Sequence, residues 1–210
     1  MKIKTILFDF DGTVADTVGP VVDILNEIAP EFGLDQITEE ELNRYRNQRN
    51  QDALKDTGVP KYKVLLILRR TWKEINARIP SLNPISGIED VLRELKISGL
   101  QLGIVTTGLR DNVMKFLDNN NLDMFDFVDS GSSMFGKKKV LKRVLKEHEL
   151  NPKEVIYIGD QTSDIEAAKN SGIKIIAVGW GFNLEKILKE HNPDYFVKEP
   201  KELVKILQDL

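Results

Sequence analysis

The chain has 210 residues, 41% apolar and 30% charged, with a formal net charge of −3. That length suits one large core with a small appended unit at most, and the charge balance gives no electrostatic reason to expect a nucleic-acid partner. With no cysteine, disulfides, zinc–thiolate sites and thiol catalysis are excluded, and no apolar run approaches the roughly 20 residues of a membrane span.

The opening "MKIKTILF" starts basic and turns apolar, but its apolar run stops at Asp9. A signal peptide is not expected, and a cytoplasmic location is. Residues 3–8 (IKTILF) read as a first strand, too short for a helix and without polar alternation, as expected when both faces of a sheet are covered. From about Val14 to Leu82 no strand-like run appears. Residues 18–33, 38–46 and 61–79 read as helices, and in the last Leu65, Leu68, Trp72, Ile75 and Ile79 recur at helical spacing. Asp16 stands where the first of these helices needs an N-cap. The turn-rich "PSLNPISG" (80–87) marks a return to the sheet.

Beyond it, apolar runs at 102–105 (LGIV), 155–159 (VIYIG) and 173–179 (IKIIAVG) alternate with helical patterns at 87–99, 112–122, 138–150 and 163–172. "YFV" (195–197) reads as a further short strand and 200–210 as a closing helix. Strands alternating with helices predict an α/β, Rossmann-like three-layer core with a parallel sheet. The helical stretch is then an insertion. The expected domains are a core of residues 1–15 and 83–210 and an all-helical cap of residues 16–82.

Ligands of open parallel sheets bind beyond the carboxyl ends of the strands. Asp9, Asp11 and Thr13 follow the first strand, Thr106, Thr107 and Gly108 the second, and Asp160 and Asp164 the third. Such carboxylates are costly together unless a cation neutralises them. Asp9 and Asp160, on different strands, suit a hard ion such as Mg²⁺ that also contacts substrate phosphate. Thr106, Thr107 and the N–H groups near Gly108 make a phosphate cradle, with a lysine ahead of the 138–150 helix to match the remaining charge. Of Lys137, Lys138 and Lys139 only one can face the site, since successive helical residues point about 100° apart. Lys137, following Gly136 nearest the helix start, is the choice. A carboxylate can act as a covalent nucleophile, and a second carboxylic acid two residues on as proton donor and then base.

In this order, "DFDGT", "IVTT", a lysine before a helix and "IGDQTSDIEAAKNSG" closely resemble the four motifs of the haloacid dehalogenase-like (HAD) superfamily, and "VGWGFN" (178–183) adds likeness to its phosphoglycolate-phosphatase-like members. The resemblance implies Asp9 as nucleophile and Mg²⁺ ligand, Asp11 as general acid/base with its backbone carbonyl on Mg²⁺, Thr106 and Lys137 on the phosphoryl group, Asp160 as metal ligand and Asp164 as metal ligand or orienter. It implies a Mg²⁺-dependent phosphatase of a small phosphorylated metabolite, working through an aspartyl-phosphate. The alternatives are a phosphomutase similar to β-phosphoglucomutase and a catalytically silent binding module. Gln161 departs from the acid or serine common after the Gly-Asp pair. Within the cap, Arg46 and Arg49 are the candidates for reading an anionic substrate group. Trp180 is expected to anchor a loop, and His148 and His191 to be solvated.

Overall fold

The structure, a computed structural model, describes residues 2–131, 137–208 and 210. Gly136, expected just ahead of the Lys137 helix, lies outside the described residues.

Strands β1 (Thr5–Phe8), β2 (Gln101–Thr106), β3 (Phe127–Ser130), β4 (Val155–Gly159), β5 (Lys174–Val178) and β6 (Tyr195–Val197) form one sheet in the order β3-β2-β1-β4-β5-β6. Every pairing is parallel. Helices α1 (Val18–Ile28), α2 (Glu39–Arg46), α3 (Asn50–Asp56) and α4 (Lys61–Arg78) follow β1, then α5 (Ile88–Ile97), α6 (Arg110–Asn119), α7 (Lys137–Glu147), α8 (Thr162–Ser171), α9 (Glu185–Glu190) and α10 (Lys201–Gln208) alternate with the strands.

Alternation along each strand divides the core between two faces. Ile6, Phe8, Leu102, Ile104, Ile156 and Ile158 pack with α5, α6 and α10 on one side, and Leu7, Val105, Tyr157, Ile175 and Ala177 with α7, α8 and α9 on the other. β1 is fully buried because it lies mid-sheet between two covered faces. β3 escapes the sequence reading for the opposite reason: it is an edge strand whose "FVDS" buries only Val128, so it lacks a continuous apolar run.

The helices after β1 are rooted in the same core. Ile24 and Ile28 of α1 and Ile75 of α4 join Phe10, Val14 and Ile79 in the first cluster, while α2 and α3 bury no residue fully. The helical repeat along α4 splits: Ile75 is buried, but Leu65, Leu68 and Trp72 are 68%, 44% and 48% exposed. Asp16 is not the cap of α1. It is exposed, the helix starts two residues later at Val18, and Thr17 takes the N-cap position without a side-chain capping bond. Where the chain leaves and re-enters the sheet it pairs with itself: Asp16 N–H donates to Asn83 O at 3.0 Å, and Ile85 N–H to Val14 O at 2.9 Å. His148 is not free in solvent either: its ring stacks on Phe127 at 3.8 Å and its Nε2 lies 2.6 Å from Asp129 Oδ2. His191 is partly buried, with Nδ1 2.9 Å from Ile187 O.

No helix among the described residues is long and apolar enough to cross a membrane.

Candidate active site

The strand order reverses between β1 and β4, which opens a crevice at their carboxyl ends. Phe8 is in register with Ile104 on one side and Ile158 on the other, so Asp9 leaves β1 beside the ends of β2 and β4. Its N–H donates to Ile158 O at 2.8 Å, which fixes its height at the sheet edge. The Phe10 carbonyl then accepts the N–H groups of Thr13, Val14 and Ala15 at 3.3, 3.0 and 3.0 Å, winding the chain into a tight turn. Gly12 sits in that turn at φ +75°, and a Cβ there would stand 2.6 Å from Asp160 Oδ2. Only glycine tolerates both the backbone and the approach.

Asp9, Asp160 and Asp164 each present a carboxylate oxygen, all within 4.8 Å of one another, and all three side chains are buried. Lys137, at the start of α7, places Nζ 2.8 Å from Asp9 Oδ2 and also contacts Asp164 Oδ1. Lys138 instead reaches Asn170 at the exposed surface. Asp160 accepts the Thr13 hydroxyl at 3.1 Å and the Phe182 N–H at 2.6 Å. Asp164 belongs to two structures at once: Oδ2 accepts the N–H of Gln161, the N-cap of α8, at 2.9 Å, while Oδ1 meets Lys137.

Thr106, almost fully buried at the end of β2, accepts the Gly108 N–H at 2.9 Å and so closes its own turn. It is not the N-cap of α6, a position held by Leu109. Thr107 follows in the same bend, half-buried. Asn76 of α4 props this turn, accepting the Leu109 N–H at 3.4 Å through Oδ1 and the Asn112 side-chain amide at 2.7 Å through its carbonyl.

Burial drives the titration of the cluster. It pushes Asp160 up to about 7, aided by the charge of Asp164 and opposed by the Phe182 N–H. Burial lifts Asp11 to about 6 against the pull of Lys137. Asp9 is raised well above the ordinary carboxylate range by burial and by Asp164 and Asp160, with Lys137 opposing. For Lys137 burial alone would favour the neutral amine, but Asp164 and Asp9 overrule it and hold the ammonium. The donor set is therefore oxygen-only, buried and over-supplied with negative charge. Those are the conditions under which a hard divalent cation is held.

Arg46 and Arg49 both have protein partners. Arg46 donates through Nε to Phe182 O at 3.1 Å and through Nη2 to Gly181 O at 2.7 Å. Arg49 pairs with Asp52 at 2.7 Å on the surface.

A haloacid dehalogenase-like hydrolase family model matches residues 6–178. The chain belongs to the haloacid dehalogenase-like hydrolase family. Over 209 residues, 99% of each chain, it is 32% identical to a phosphoglycolate phosphatase of Synechococcus elongatus. It is also 27% identical to the pyrophosphatase PpaX of Bacillus cereus, covering 100% of this chain and 99% of that one. Among solved structures, a haloacid dehalogenase-like family hydrolase from Streptococcus pneumoniae superposes with a TM-score of 0.81 at 25% identity, covering 98% and 99% of the two chains. The chain is thus a haloacid dehalogenase-like phosphoric monoester hydrolase.

Some residues that shape this haloacid dehalogenase-like site stood out weakly in sequence. Tyr157 lies beneath Lys137 with its ring centroid 5.8 Å from Nζ, indistinguishable in sequence from any apolar strand residue. Trp180 Nε1 donates to Thr13 O at 3.2 Å. Asn183, almost fully buried, accepts the Thr162 N–H at 2.9 Å and donates to Arg46 O and Gln48 O at 3.2 and 3.0 Å. The glycine-rich "VGWGFN" was the available signal for these last two, since buried polar residues in such a loop need partners.

Proposed function

We propose that the chain is a Mg²⁺-dependent phosphatase of a small phosphorylated metabolite, with residues 16–82 as cap and residues 1–15 and 83–210 as catalytic core. The observation that carries this reading is the convergence of Asp9, Asp160, Asp164 and Lys137 at the switch point of the sheet. The paired backbone at Asp16–Asn83 and Val14–Ile85 supports the division, since both chain crossings between the two parts run side by side there.

Asp9, Asp160 and Asp164, with the backbone carbonyl of Asp11, would hold the ion. When bound, it offsets the carboxylate charge and withdraws charge from the phosphoryl oxygens. Lys137 and Thr106 orient the phosphoryl group. A carboxylate oxygen of Asp9 attacks phosphorus as the bond to the leaving oxygen breaks, giving an aspartyl-phosphate. Asp11 gives its proton to the leaving oxygen, so the product departs as an alcohol. It then takes a proton from water, whose oxygen attacks phosphorus, releasing inorganic phosphate and restoring the Asp9 carboxylate. A carboxyl near pKa 6 suits this double duty, because both protonation states are accessible near neutrality.

The relatives named for phosphoglycolate and pyrophosphate make those two compounds the first substrates to try. Purified chain with Mg²⁺ is expected to release phosphate from an aryl phosphate and from at least one member of a metabolite panel containing both. Asp9→Asn is expected to abolish turnover while melting near the wild type. Substantial residual hydrolysis by that variant would refute Asp9 as nucleophile, and a folded wild type without turnover would sink the phosphatase reading.

A further inference from the structure

Asp160 is held by an irregular loop. Between β5 and α9, the Phe182 N–H reaches Asp160 Oδ2 at 2.6 Å and the Asn183 N–H reaches Asp160 O at 3.3 Å. Gly181 passes so close that a Cβ would lie 2.2 Å from the same Oδ2. A small shift of this loop must therefore move or unpair the carboxylate.

The loop is not held by the sheet alone. Its carbonyls at Gly181 and Phe182 both end on the guanidinium of Arg46, the last residue of α2. The interaction is reciprocal. A helix C-terminus leaves carbonyls without intrahelical donors, and here the Leu184 N–H donates to Arg46 O at 3.0 Å while the Asn183 amide bridges Arg46 O and Gln48 O. Nearby, Asn50 Nδ2 donates to Gln161 Oε1 at 2.7 Å, next to Asp160 in the chain. The helical segment and the loop behind Asp160 thus complete each other's hydrogen bonding. A planar fork spans two adjacent carbonyls as a single ammonium cannot.

We infer that Arg46 is a positioning residue that couples docking of the helical segment to cation binding, by seating the 181–184 loop so that the Phe182 N–H orients Asp160. This rests on the metal site of the proposed function, and it differs from a role for Arg46 in contacting substrate.

The test is calorimetric titration of Mn²⁺ into the full-length wild type, Arg46→Ala, Arg46→Lys and Arg44→Ala, beside steady-state kinetics. Arg44, on the same helix, pairs with Asp56 at the surface and serves as control. Loss of partners that orient a ligand weakens metal binding about 10–100-fold. Arg46→Ala is expected to bind Mn²⁺ about tenfold more weakly, Arg46→Lys to fall between, and Arg44→Ala to match the wild type. A folded Arg46→Ala with wild-type Mn²⁺ affinity overturns the inference, whether or not its KM rises. If Arg46→Ala does not fold, wild-type affinity in Arg46→Lys does the same. A wild type that binds Mn²⁺ yet hydrolyses nothing refutes the proposed function and leaves this coupling standing; one that binds no Mn²⁺ overturns both.

Discussion

Lys137 Nζ lies 2.8 Å from Asp9 Oδ2, and the same ammonium contacts Asp164 Oδ1. One cation from α7 thus ties the end of β1 to the first turn of α8, inside a cluster that would otherwise hold only negative charge. Each prediction below follows from how that cluster is balanced or enclosed.

Lys137→Met is expected to lower kcat for aryl phosphate about 10²–10³-fold, the usual cost of deleting one charge stabiliser from an enclosed site. Lys138→Met should stay within about twofold of the wild type, because Lys138 reaches out to the exposed Asn170. Steady-state kinetics of the two variants checks the assignment. Equal losses would mean that the α7 lysines act as a diffuse field.

The raised carboxylates set a pH dependence for the metal-free protein. Asp160 and Asp11 titrate at about 7 and about 6 in the fold, against 3.8 for an unperturbed carboxyl. Between those limits the folded state binds more protons than the unfolded one, so stability falls as pH rises from about 4 to about 7. Melting temperatures in EDTA should drop across that window, and Mg²⁺ should restore more at pH 7.5 than at pH 5. A Mg²⁺ effect that is larger at pH 5 would contradict the charge balance.

Gly181→Ala tests the enclosure. The added Cβ would meet Asp160 Oδ2 at 2.2 Å and Asp160 Cβ at 2.3 Å, so the loop or the carboxylate must move. A loss of about 1–3 kcal/mol in stability is expected from this overpacking, together with weakened metal binding. Urea unfolding and Mn²⁺ titration read the two effects separately.

Thr71 offers a gain instead. Its hydroxyl is buried on α4 without a hydrogen-bond partner among the described residues. Replacing it by the isosteric valine removes that cost, and Thr71→Val is expected to stabilise the protein by about 1 kcal/mol. A lower urea midpoint than the wild type would show that the hydroxyl has a partner in solution.

The α/β alternation was legible because buried parallel strands such as "VIYIG" are short continuous apolar runs, whereas helices such as α5 bury residues three and four apart. β3 was not, since an edge strand needs only one buried residue to hold its place. Within α4, periodicity marked one face but could not say how much of it would be covered: the end near the sheet is buried and the outer turns are exposed. Arg46 and Arg49 show the same limit. Their charge was visible in sequence, while the pairing of Arg46 with two loop carbonyls over 130 residues away was not.

By itself the sequence determined the local chemistry: two carboxyls spaced by one residue at a strand end, a glycine that lets the chain turn, and threonine and aspartate after two further strands. These follow from neighbours along the chain. The tertiary structure alone decided which groups share charge. Strand order brought Asp9 beside Asp160, the phase of α7 selected Lys137 over Lys138, and the docking of α2 set Arg46 behind Asp160. Electrostatic and hydrogen-bond energies depend on distances of a few ångströms and on burial, and the packing of remote segments creates both.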